Sequence, residues 1–130
     1  MFTHFQTGQK LSGEEVRNLN RNFPGRADGH FTEQVAYAIF KALGDAKTQL
    51  NLDYHEAWPE YPFVNAVGAD AKASDIASLA ALDLRMAGME IGVESVPKKF
   101  RGLSYRELGE YVEGSMALLA ETPNALQGRI

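Results

Sequence analysis

The sequence predicts an all-α domain, a single compact bundle of four main helices near 13–23, 33–50, 75–93 and 105–121. Three observations lead there. Two stretches carry the same helix-start signature, apolar residues then recur at helical spacing, and proline or glycine stands near the ends of the stripes. The first start is "LSGEEV": Ser12 is placed to cap, Glu15 to reciprocate three residues on, and Leu11 to staple against Val16. The stripe Val16, Leu19 and Phe23 follows, and Pro24-Gly25 ends it.

Thr32 is the expected cap of the second helix, whose stripe is Val35, Ile39, Leu43, Ala46 and Leu50. The third opens after Ser74, with Asp75 in its first turn. Its apolar residues fall on two arcs: Leu79, Leu82, Met86, Met89 and Val93 on one, Ile76, Ala80, Leu84, Ala87 and Ile91 on the other. A helix apolar on two sides touches neighbours on both, which makes this the central one. In the fourth, "LSYREL" repeats the opening device with Ser104, Glu107 and the Leu103–Leu108 staple. Tyr105, Leu108, Val112, Met116 and Leu119 then form one stripe, ended by Thr122-Pro123. Residues 51–73, with Pro59, Pro62 and Gly68, show no sustained period and read as an irregular, aromatic-rich connection. Residues 1–12 are a lead-in and 122–130 a loosely ordered tail.

A chain of 130 residues, 45% hydrophobic and 23% charged, has the composition of one folded domain. It has no cysteine, which excludes disulfides and cysteine-ligated metal. It has no apolar run of about 18 residues and no signal-peptide pattern, so a cytoplasmic domain without membrane contact is expected. The net charge of -4 is uneven. Lys10, Arg17, Arg21 and Arg26 outweigh Glu14 and Glu15 at the start, and Lys98, Lys99 and Arg101 cluster near the end, bracketing an acidic middle.

Four stretches carry chemistry. "RNLNRNFPGR" at 17–26 sets Arg17 and Arg21 one turn apart beside Asn18 and Asn22. Arginine clamps phosphate bidentately and asparagine reads base edges. With Arg26, Lys98, Lys99 and Arg101, these residues define a phosphate or nucleic-acid surface. "DYHEAWPEYPF" at 53–63 concentrates Tyr54, His55, Trp58, Tyr61 and Phe63, a composition suited to binding protein. Gly88 and Gly92, one turn apart on the expected third helix, allow close approach and self-association. The stretch "RGLSYRELGEYVEGS" resembles the first half of the helix-turn-helix of sigma factors and response regulators. The apolar and acidic run after it, Met116 to Glu121 and then Pro123, supplies no basic recognition helix, and the family is not assigned.

No catalytic or cofactor signature is present, and no cofactor or metal is expected. The sequence therefore predicts a non-enzymatic module that contacts a protein partner, as an adaptor, an inhibitor or a self-assembling subunit. Small accessory proteins of mobile elements are of this size. The alternative is a nucleic-acid or nucleotide binder using the basic residues. The third reading is an enzyme with a dispersed site built on His30 or His55 and nearby acids.

Overall fold

The computed structural model describes residues 14–57, 64–94 and 101–123. It is a mixed α/β fold built on a four-stranded sheet, which corrects the expected all-α helical bundle. In chain order it runs through α1 (Glu14–Arg17), a 3-10 turn (Leu19–Arg21), α2 (Phe31–Asp45) and β1 (Leu50–Ala57). Then come β2 (Ala66–Ala69), α3 (Ser74–Met86), β3 (Gly92–Glu94), α4 (Ser104–Tyr111) and β4 (Met116–Pro123). The strands lie in the order β1-β4-β2-β3. Strand β4 is parallel to β1 and antiparallel to β2, and β2–α3–β3 is a parallel crossover. The segment expected to be irregular thus holds two strands.

Each departure from the expected helices has a local cause. The first helix breaks at Asn18, whose extended backbone (φ -77°, ψ 110°) lets its side chain accept from the N–H of Asn20 and cap the 3-10 turn. The Ser12 cap and its staple lie outside the described residues. Helix α2 is capped by His30 rather than Thr32: its Nδ1 accepts from Glu33 N–H, and the Glu33 carboxylate accepts from His30 N–H at 3.0 Å. Helix α3 stops at Met86, well before Val93, because Gly88 at φ +87° closes it. The Gly88 N–H reaches Arg85 O and the Met89 N–H reaches Leu84 O, a Schellman ending. Helix α4 stops at Tyr111. Val112 leaves the helical region, Gly114 turns at φ +75°, and Met116–Leu119 become strand instead of a continued stripe.

Cross-strand register assigns every side chain to a face. On one face lie Asn51, Asp53 and His55 of β1 with Ala117, Leu119 and Glu121 of β4. Helix α4, α2 and the 3-10 turn close this face around Phe23, Phe40, Tyr105 and Leu108. On the other lie Leu50, Leu52 and Tyr54 with Met116, Leu118 and Ala120. Helix α3 covers β2, β3 and the adjoining Leu118 of β4 on that second face, seating Ala73 and Ala77 on Val67 and Leu118, and leaves β1 open. Three alanines (with Ala81) bring the helix close to the sheet; its larger side chains point away.

Candidate functional site

The closed face carries a polar cluster at the C-terminal ends of β1 and β4. The two-residue period of β1 sets Asp53 and His55 side by side, and the parallel register places His55 opposite Glu121. Glu94 enters from β3 over Gly68, where a Cβ would stand 3.6 Å from its carboxylate. Ser104, the first residue of α4, points its hydroxyl at Asp53 and donates to Oδ2. The serine that the capping signature assigned to its own helix is thus used across the fold. Its capping role passes to Asn20, whose Oδ1 accepts the Ser104 N–H at 2.6 Å from the 3-10 turn. Glu107 does bend back as the signature requires, but onto Gly102 N–H at 3.0 Å. Gly102 sits at φ +78° with its Cα so close to Arg21 that a Cβ would lie 2.1 Å from the Arg21 carbonyl oxygen.

The charges in the cluster are mutually compensated. His55 Nε2 lies 3.1 Å from Asp53 Oδ2, and Nδ1 lies 3.7 Å from Glu121 Oε2. Its hydrogen bond to Asp53 raises the imidazole pKa above 6.5, against the opposing effect of burial. The same bond holds the Asp53 carboxyl below its ordinary value, with Ser104 helping. Burial pushes Glu94 and Glu121 upward, and each raises or is raised by neighbouring carboxylates, while the field of Arg21 lowers both. Chemically this holds charge more than it activates a nucleophile. Both imidazole nitrogens face carboxylates, so no lone pair is free to accept a proton from a substrate. Ser104 donates to the depressed Asp53 instead of to a histidine, unlike the serine–histidine–acid order of acyl transfer. Among the described residues, no group of three or more metal-ligating side chains is arranged to hold an ion.

Beside this cluster a cavity of about 360 Å³ opens between the 3-10 turn, α2, β1 and α4. Asn18, Asn20, Asn51, Asp53, His55 and Ser104 supply its polar wall. Leu19, Phe23, Ile39, Leu43, Leu52 and Leu108 supply the apolar one.

The residues singled out in the sequence are dispersed. Arg17 is exposed on α1, whereas Arg21 turns toward the acidic cluster and donates to Asn20 O at 2.6 Å. Asn22 is buried and ties the segment together through Val16 O and Asn18 O. Arg26 pairs with Asp28, and Arg101 pairs with Glu110 at 2.9 Å. Lys98, Lys99, Trp58, Tyr61 and Phe63 lie outside the described residues. Tyr54 and His55, adjacent in sequence, sit on opposite faces of the sheet. Gly88 and Gly92 belong to a turn and a strand, not to one helix face. Sequence reasoning missed Asp53, Ser104, Glu94 and Glu121 as a group. Only the Asp53-x-His55 spacing, once read as strand, points to part of it.

Comparison with protein-family models, curated proteins and solved structures finds no match to this chain. No helix among the described residues is long and apolar enough to cross a membrane.

Proposed function

We propose that the chain is a protein-interaction module, and that its partner is a second copy of itself. The observation that carries this reading is the apolar surface left open on the α3 side of the sheet. Leu50, Leu52 and Tyr54 stand uncovered on β1, with Tyr54 72% exposed. Leu79, Leu82 and Met86 form the outward arc of α3, with Leu79 63% and Met86 79% exposed. Large apolar side chains exposed together on one side of a sheet favour association.

The two arrays lie on the same side of the sheet. One part of the face is a ridge, α3 over β2, β3 and Leu118 of β4; the other is a shelf, the outward side of β1. A twofold axis lets each copy's ridge rest on the other's shelf, burying both arrays in one isologous contact. It also covers the arc of Leu79, Leu82 and Met86, which the sheet-facing alanines of α3 leave turned outward. Light scattering on the wild-type chain tests it. A dimer is expected, and Leu79→Glu and Leu52→Glu each yield monomers of unchanged fold, since both positions are exposed. Mixing the two variants partly restores the dimer, because one ridge–shelf contact in the mixed pair is unaltered. A wild-type chain that stays monomeric at a few hundred micromolar overturns the reading.

A further inference from the structure

The cavity on the closed face is a second site, which shares one lining residue, Leu52, with the association surface. We infer that it binds an amino-substituted aromatic heterocycle of nucleobase size, through the side-chain amide of Asn51 and the carboxylate of Asp53. The volume of about 360 Å³ is at the small end of ligand pockets and suits one or two fused rings. Phe23 and the aliphatic side chains of Leu19, Ile39, Leu43 and Leu108 form apolar walls for a flat ring.

The polar wall then specifies the ring's edge. Asn51 makes no side-chain hydrogen bond among the described residues, so its amide presents a donor and an acceptor together. That pair matches an exocyclic amine beside a ring nitrogen, the pattern an asparagine reads on adenine. Asp53 spends Oδ2 on Ser104 and His55, leaving Oδ1 to accept a second N–H from the amine. Asn18 and Asn20 commit their carbonyl oxygens to backbone N–H groups and present only NH2 donors to further ring acceptors.

The charge of the ligand follows as well. No lysine or arginine lines the cavity among the described residues, while the carboxylate of Asp53 does. A phosphate would meet that carboxylate, and the one imidazole in the lining, His55, is already paired with Asp53 and Glu121. The site therefore takes a base or nucleoside in preference to a nucleotide, and so is distinct in chemistry from the basic surface that the sequence suggested.

The test is a titration of the full-length, isotope-labelled chain with adenine, adenosine and AMP, followed by amide chemical shifts and calorimetry. Saturable shifts centred on β1, the 3-10 turn and the start of α4 are expected for adenine or adenosine. AMP is expected to bind no more tightly. Asn51→Leu weakens binding about tenfold or more by removing the paired hydrogen bonds. Ile39→Trp, at a half-open position of the cavity mouth, blocks the site while leaving the core intact, and serves if Asn51→Leu does not fold. The inference is overturned if neither adenine nor adenosine saturates, if both variants bind as the wild type does, or if AMP binds more tightly than adenosine.

Discussion

The two faces of the sheet are built from the same four strands but finished in opposite ways. The face under α4, α2 and the 3-10 turn is closed by large side chains such as Phe40 and Leu108, and Asp53, Ser104 and Glu107 are admitted there with partners. The face under α3 is covered with alanines over β2, β3 and Leu118 of β4 and left bare over β1. The difference lies in which residues alternate along β1. Its inward set is Asn51, Asp53 and His55; its outward set is Leu50, Leu52 and Tyr54. A strand that turns its polar residues into the fold and its apolar residues out is stable only if the fold satisfies the first set. An association partner then takes up the second.

The sharpest way to break the comparison is to truncate one leucine on each side. Leu108→Ala on the closed face removes a side chain that is 1% exposed and is expected to cost about 2–5 kcal/mol in denaturant unfolding. Leu79→Ala on the open face is expected to change monomer stability by less than about 0.5 kcal/mol. Equal losses would mean that α3 is packed on both sides within one chain. A middle-sized effect tests how the closed face is fastened. Asn20→Ala removes the cap on α4 and leaves the Ser104 N–H without its acceptor, at a cost of about 1 kcal/mol. Asn20→Asp, which keeps an acceptor, should retain most of that stability.

A further effect concerns pH. His55 has a raised pKa, so its contribution is complete below about 6.5 and is lost as pH rises through the folded value. Asp53 is depressed, so its contribution is present above about 3.8 and is lost as pH falls through the folded value. Glu94 and Glu121 are raised, so ionising them removes stability as pH climbs from about 4.5. Thermal midpoints should therefore decline from mildly acidic to mildly basic pH. His55→Gln should flatten the part of the decline above 6.5, an effect below about 1 kcal/mol. A wild-type midpoint that rises across that range would contradict the assigned charge states.

Helix starts were legible in the sequence and helix ends were not. Ser74 and Ser104 stand at the starts of α3 and α4, but as first helical residues without a side-chain cap, Ala73 and Leu103 holding the cap positions. The stripe Met116–Leu119 continues the helical period of α4 by coincidence. It is a short apolar run buried on both faces of a sheet, which periodicity alone cannot tell from a helix. Strand β1 escaped notice because its pattern is inverted, with apolar residues facing solvent. The polar cluster was illegible for a different reason. Asp53, Glu94, Ser104 and Glu121 come from four elements, and only strand order and register bring them together.

Strand β4 pairs with β1 on one side and with β2 on the other, so both halves of the sheet are joined through it alone. In chain order it comes after all of them, and Leu50 must wait for Met116. During synthesis β1 and the β2–α3–β3 unit therefore emerge as separate pieces with no shared ladder. Such non-local pairing makes folding slow. Until β4 is threaded between them, β1 offers two open edges and its leucines to any neighbouring chain. The speed with which one late strand docks sets how long the nascent protein is exposed to aggregation.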